Sequence, residues 1–338
     1  MKAWTLIAHG APERSFALRE YPDPRPGPNQ LLIRVEGFGL NYADAMAVRG
    51  LYREAPPLPS IIGYEVVGRV ERAGSEAPQD LVGRRVVAMT RFGGYAELAV
   101  TDHRACAAIS DELPIGEAAA LATQGSTAWY AARVLCPLSV GERVLVHSAA
   151  GGVGNLIVQL AVASGCEVIG VVGSSAKRDL VLGLGAAHCI DRSAGDYATQ
   201  ANRILGKHRL SASFNAVAGA TFGKDMRLLG SGGRLVLYGG AQRGALGALG
   251  TLRFVWSMGA VLPIFLMMKS KSILGVNMLK LGDHHPELMA RCFREVVHAH
   301  ASGGIKPHVH ATLPASELPH ALGELARGTT MGKVALKW

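Results

Sequence analysis

Residues 144–155 read VLVHSAAGGVGN. Three apolar residues and a histidine run into a cluster of small ones, with glycines at 151, 152 and 154. The stretch GNLIVQLAVASG then carries Leu156, Leu160 and Ala163 on one helical face and ends at Gly165. A strand, a turn with little side chain and an amphipathic helix make a cradle for phosphate. Backbone N–H groups can approach the anion, and the helix N-terminus adds positive potential. In the dinucleotide fingerprint the first glycine makes the turn, the second admits the pyrophosphate and the third packs helix on strand. Here Ala149 takes the first place, Gly151 the second and Gly154 the third, with Gly152 and Val153 opening the helix. No GK[ST] follows, so this is not a P-loop.

About 20 residues on, an NAD-binding chain carries an acidic residue for the adenosine ribose. This chain has Val172 and Gly173 there, followed by Ser174, Ser175, Lys177 and Arg178. Two hydroxyls and two cations suit a 2′-phosphate. Cations at the start of a helix oppose its dipole, and a bound anion would compensate them. The expected cofactor is therefore NADPH.

Outward from the turn, strands alternate with helices. EVIGVVG, HCI, SASFNAVAG, GRLVLYGG and SILGVNM read as strands, and SAKRDLVLGLG as a helix, which argues for a doubly wound parallel sheet. Residues 1–120 look strand-rich instead, with QLLIRVEGFGL, EVVGRV, RRVVAMT and YAELAV punctuated by Gly and Pro. After residue 283, HPELMARCFREVVHAHASG reads as a long helix, and IKPHVHATL and GKVALKW as closing strands. The two ends are expected to meet in one β-rich domain.

Composition narrows the function. The 338 residues fit two domains of ordinary size. Net charge is +9, from 35 Lys+Arg against 26 Asp+Glu, but without a basic run or interleaved aromatics, so no nucleic-acid partner is expected. The cysteines at 106, 136, 166, 189 and 292 are isolated and odd in number, which argues against a disulfide framework or a CxxC metal site and for a reducing, cytoplasmic location. HAH (298–300) and HVH (308–310) read as ordinary histidines more readily than as ligands. MKAWTLIAHG reads as a first strand, not a signal segment. The apolar stretch FVWSMGAVLPIFLMM (254–268) is shorter than the ~20 residues of a membrane span and is interrupted by Pro263. It reads as a helix covering a cleft or a subunit interface.

Further stretches carry a family resemblance: GFGLNYADAMAVRGLY (37–52), IIGYEVVGRVERAGS (61–75), EAAALATQGSTAWYA (117–131), VLVHSAAGGVG (144–154), GGRLVLYGG (232–240), GIKPHVH (304–310) and GTTMGKVAL (328–336). Together they make the chain resemble the zinc-independent medium-chain dehydrogenases/reductases of the quinone oxidoreductase type, and within them the vesicle amine transport protein-like members. The resemblance implies a GroES-like β domain from both chain ends (1–125 and 281–338) around a Rossmann domain (126–280). Zinc-containing relatives have Cys, His and Cys where this chain has Asn41, Tyr64 and a place near Thr123, so no metal is expected.

By the same resemblance Asn41, Tyr52 and Tyr64 are the catalytic candidates, as hydrogen-bond donors to a substrate oxygen. Cofactor contacts are implied for Tyr42, Asp44, Thr127, Tyr130, Gly151, Gly152, Val153, Gly154, Gly173, Ser174, Lys177, Arg178, Tyr238, Gly239 and a C-terminal loop bearing Lys333. Arg192 stands where relatives place a cofactor-contacting residue, often Tyr. From the residues alone, Asp44 also reads as a turn or helix cap, Tyr64 as a packing residue, and Tyr130 and Tyr238 as core aromatics. The implied activity is NADPH-dependent reduction of a quinone or related conjugated carbonyl by a homodimer paired through SILGVNM. An enone or enoyl-thioester reductase, and an NADPH-binding, lipid-associated protein with little turnover, are the alternatives.

Overall fold

The computed structural model describes all residues except 242–246, and of residues 247–249 and 251 only the backbone. The chain divides into two compact units, Met1–Ser126 with Met278–Trp338, and Thr127–Asn277.

The first unit begins with β1 (Lys2–Leu6) and β2 (Phe16–Glu20), an antiparallel pair. Then follow β3 (Gln30–Leu40), β4 (Glu65–Ala73), β5 (Arg85–Met89), β6 (Leu98–Asp102) and β7 (Cys106–Ala108). Leu31, Ile33, Phe38, Leu40, Val66 and Val86 share one buried cluster. Each such side chain contributes about 1.5–3 kcal/mol when taken out of water, so these alternating apolar strands close on one another.

The second unit holds β8 (Arg143–His147), β9 (Glu167–Val172), β10 (His188–Asp191), β11 (Leu210–Asn215), β12 (Leu229–Leu237) and β13 (Ser272–Gly275). All pair in parallel, in the order β10-β9-β8-β11-β12-β13. The chain winds outward from β8 through β9 and β10, then returns to lay β11 on the other side of β8. The winding thus reverses between β8 and β11, where open α/β sheets bind ligands. SILGVNM supplies a strand, β13, as its sequence suggested, and β13 lies at the edge of the sheet.

The last strands, β14 (Val309–Pro314) and β15 (Lys333–Lys337), return to the first unit. β15 runs antiparallel to β3, with Val334 opposite Leu40, and extends the sheet to the order β14-β15-β3-β4-β5-β7, with β6 also on β3. Val334 and Leu336 join the same buried cluster as β3, so the two chain ends share a GroES-like core.

The apolar stretch 254–268 departs from expectation. It is not one helix but parts of two, Gly247–Met258 and Pro263–Met268. Gly259 adopts φ +71° at the break and Pro263 starts the second helix. Trp256 and Met267 are 79% and 72% exposed in the single chain. Among the described residues no helix is long and apolar enough to cross a membrane.

Candidate functional site

In the second unit β8 ends at His147, and Ser148 turns the chain with φ +51°. Its carbonyl accepts the Gly151 N–H at 2.7 Å. A Cβ on Gly154 would lie 2.1 Å from that oxygen, so only glycine lets the helix Gly152–Ala163 approach the strand this closely. The N–H groups of Gly152, Val153 and Gly154 belong to the first turn and have no acceptor within the helix. Asn155 Nδ2 donates to the carbonyls of Gly151 and Gly152, both at 2.8 Å, and braces the turn. A turn of N–H groups without acceptors in the helix, held close to the strand by glycine, fits a pyrophosphate.

The neighbouring strand β9 ends at Val172, ahead of Gly173, Ser174 and a 3₁₀ turn over Ser175–Lys177. Arg192 follows the parallel strand β10 and lies beside Gly173, where an added Cβ would be 3.6 Å from its guanidinium. Burial, and after it the Arg192 charge, pushes the Lys177 ammonium below the usual lysine range. Lys177 and Arg192 thus form a corner of like charge at the tip of β9, in the place where an NAD enzyme keeps a carboxylate. Arg178 instead faces the Asp191 carboxylate, whose hydrogen bonds go to Ser193. These residues fit a 2′-phosphate, with Ser174 half-buried beside them.

A third loop completes this end of the sheet. Tyr238 Oη donates to the His147 carbonyl at 3.2 Å, and its backbone N–H donates to the Asn215 carbonyl at 3.1 Å. Gly239 backs onto the Ala216 carbonyl, 2.6 Å from where its Cβ would be. Thr127 and Tyr130 precede β8 on a helical stretch; Thr127 is buried and Tyr130 opens the turn Tyr130–Leu135, which packs on the helix Gly152–Ala163.

In the first unit the candidates gather around a residue that the sequence reading missed. Glu65, fully buried at the start of β4, accepts from Asn41 Nδ2 at 2.8 Å and from the Thr123 N–H at 3.0 Å. It also forms an ion pair with Lys333, itself fully buried. Lys333 Nζ further donates to the Leu40 carbonyl at 3.1 Å and to Asn41 Oδ1 at 3.4 Å. The available signal was the charge of Glu65 inside an otherwise apolar run, IIGYEVVG, since an isolated buried charge demands a partner.

Two expectations are corrected here. Lys333 is not in a loop: it begins β15, and its three donors go to Glu65, Leu40 and Asn41, leaving none for a cofactor. Asp44 does not line a surface. It is fully buried in the first turn of the helix Tyr42–Val48, and its Oδ2 accepts the Asn41 N–H at 2.7 Å, half of a capping box. Burial, only partly offset by that hydrogen bond, pushes its carboxyl up to about 7. Its Oδ1 and the hydroxyl of buried Tyr95, although close enough to perturb each other's ionisation, make no hydrogen bond of standard geometry.

Asn41 is likewise committed, with its amide divided between Glu65 and Lys333. Tyr42 opens the same helix and is half-buried. Tyr64 and Tyr52 differ from these. Their rings pack edge to face at 6.0 Å, and Phe92 lies 5.4 Å from Tyr64. The buried Tyr64 hydroxyl lies close enough to the Tyr52 hydroxyl for each to perturb the other's ionisation, but makes no hydrogen bond of standard geometry. Burial raises both phenols above the usual range, so they remain protonated donors at neutral pH. An orphaned donor on an aromatic wall fits a planar, oxygen-bearing ligand.

Zinc fits this cluster poorly. It takes thiolate, imidazole or carboxylate ligands, whereas Asn41, Tyr64 and Thr123 offer an amide, a phenol and a hydroxyl; of the two nearby carboxyl groups, Glu65 is neutralised by Lys333 and Asp44 caps its own helix. Among the described residues no three His, Cys, Asp or Glu side chains group to hold a metal.

Residues 27–111 match the alcohol dehydrogenase GroES-like domain and residues 152–294 the zinc-binding dehydrogenase family model. The chain is 31% identical over 334 residues to the quinone oxidoreductase of Pseudomonas aeruginosa, covering 98% of each. It is 30% identical over 319 residues to the human synaptic vesicle membrane protein VAT-1 homolog, covering 93% of this chain and 80% of that protein. The structure of Escherichia coli quinone oxidoreductase complexed with NADPH superimposes with a TM-score of 0.87 at 26% identity, over the whole of both chains. The glycine turn, the GroES-like sheet closed by both chain ends and these similarities place the chain in the medium-chain dehydrogenase/reductase superfamily, in its quinone oxidoreductase and VAT-1-like branch.

Proposed function

We propose that the chain is an NADPH-dependent reductase that passes hydride to a quinone or a related conjugated carbonyl without a metal. The observation that carries the cofactor choice is the corner of Lys177 and Arg192 at the tip of β9, with Val172 and Gly173 in place of a carboxylate at the expected ribose position. The choice of acceptor is supported by the quinone oxidoreductases among its relatives.

Bound NADPH would supply the hydride. The N–H groups of Gly152, Val153 and Gly154 would hold its pyrophosphate, and Lys177, Arg192 and Ser174 its 2′-phosphate. Tyr52, Tyr64 and Phe92 would stack against a planar ring, while the Tyr64 hydroxyl donates to an oxygen on which charge develops. Because a quinone is electron-poor, such neutral donors suffice. Glu65 and Lys333 would hold Asn41 and the start of β4 in place without touching substrate. NADPH oxidation measured against quinones and enones tests the reading. Turnover of quinones is expected, and turnover of enones alone would replace it with the enoyl-reductase alternative.

We also propose that the protein works as a homodimer joined along β13, in a reducing cytoplasm. The proposal is supported by β13 lying at the edge of its sheet, by the exposed apolar helices that precede it, and by five free cysteines. Light scattering is expected to give twice the chain mass; a stable monomer at micromolar concentration would refute the dimer.

A further inference from the structure

Beneath the glycine turn lies a buried network that the chemistry above does not use. Asp225, on the helix Ala220–Leu228, is fully buried and accepts four side-chain donors. They are His147 Nε2 at 3.0 Å, Tyr197 Oη at 2.7 Å, Ser213 Oγ at 2.8 Å and Asn215 Nδ2 at 2.6 Å. Burial by itself would raise the Asp225 carboxyl; His147 and the other donors more than offset it and hold the group below the usual carboxylate range.

Two of these donors end strands. His147 is the last residue of β8 and Asn215 the last of β11, the two strands that flank the reversal of winding. Each is followed by a non-glycine residue in the left-handed region: Ser148 directly, with φ +51°, and Ala218 three residues on, with φ +54°. Such residues persist only where their surroundings hold them. An ionised carboxylate can only accept, so Asn215 must turn its NH₂ toward Asp225. Its Oδ1 then faces the backbone and accepts from the N–H groups of Val217 and Ala218, both at 2.8 Å. His147 is drawn inward by the same carboxylate, which places the Ser148 carbonyl against Gly151 and Gly154. Tyr238 laces the third loop to both strand ends, through the His147 carbonyl and the Asn215 carbonyl.

We propose that Asp225 is a positioning residue for nucleotide binding, fastening the loops after β8 and β11 in their left-handed conformations from below. The inference rests on the NADPH reading of the glycine turn. The third donor, Ser213, lies within β11, and the fourth, Tyr197, belongs to the helix Tyr197–Leu205 and to neither loop. That difference separates positioning from mere stabilisation.

The experiment measures NADPH dissociation constants by fluorescence titration for the full chain and for Asp225→Asn, Asn215→Ser and Tyr197→Phe, with thermal melting alongside. Asp225→Asn and Asn215→Ser are each expected to weaken NADPH binding about tenfold, the loss of roughly one hydrogen bond's worth of positioning. The KM for a quinone at saturating NADPH should stay within twofold. Tyr197→Phe should lower the melting temperature yet leave the NADPH constant within twofold. If Asp225→Asn does not fold, Asn215→Ser decides alone. A wild type that binds no NADPH removes the reading beneath the inference and the inference with it. A wild type that binds NADPH, with a folded Asn215→Ser equal to it, overturns the inference only. Equal weakening by Tyr197→Phe and Asn215→Ser also overturns it, because general destabilisation would then account for both.

Discussion

Two charged clusters, one in each unit, are built on opposite terms. Around Glu65 every charge is answered: Lys333 neutralises it, and Asn41 and Thr123 fill the remaining acceptor sites. At the tip of β9, Lys177 and Arg192 face each other with like charge and without a carboxylate in the expected ribose place. A closed network spends its electrostatics within the fold, whereas like charges held together are stabilised by an anion from outside. The closed network in the first unit is structural, and the like-charged corner in the second is where we propose that the 2′-phosphate binds.

The comparison breaks most readily at Lys333. Removing one partner of a buried ion pair strands the other, at a cost of about 3–5 kcal/mol. Lys333→Met is expected to lose that much in urea unfolding, with NADPH binding by the folded fraction unchanged. A loss below about 1 kcal/mol would show that Glu65 is not held as described.

The second break is at Lys177. A charge-assisted hydrogen bond is worth about 1.5–3 kcal/mol, so Lys177→Ala is expected to weaken NADPH binding roughly ten- to a hundredfold. NADH binding should barely move, since NADH lacks the 2′-phosphate. Equal losses for both cofactors, or a wild type that prefers NADH, would remove the contrast between the two clusters.

A finer test uses Asp44, the buried carboxyl beside the closed network. Its pKa stands at about 7 in the folded chain against 3.8 for the unconstrained side chain. The folded state thus holds a proton that the unfolded state releases. The stability this confers is fully present below the lower value and is lost as pH rises through the higher one. Between pH 6 and 8 the wild type should lose about 1.4 kcal/mol that Asp44→Asn keeps. Parallel stability profiles for the two proteins over that range would show that Asp44 is ionised in the fold.

Local signals carried much of this molecule. The glycine turn, the helix after it and the missing ribose carboxylate are written in one short stretch, and each strand and helix of the alternation can be read from its own few residues, because strand, turn and helix periodicities are short-range properties. SILGVNM was legible as a strand for the same reason, whereas its place at the edge belongs to the sheet topology. The apolar stretch 254–268 misled because a continuous hydrophobic run does not reveal a break, and the left-handed backbone at Gly259 made one.

Tertiary structure alone decided the charge partners. Glu65 and Lys333 are 268 residues apart, and only the pairing of β15 with β3 brings the ammonium under Leu40 and Asn41. The resemblance implied a ligand-facing Asp44 and the residues a helix cap; it is the cap, and its full burial was decided by what packs against that short helix. Asp225 and His147 are separated by 78 residues and meet because β11 returns to the side of β8. A sequence determines where the backbone can turn and which segments must bury apolar surface. Which polar groups must then satisfy one another is settled only when distant segments exclude water from the space between them.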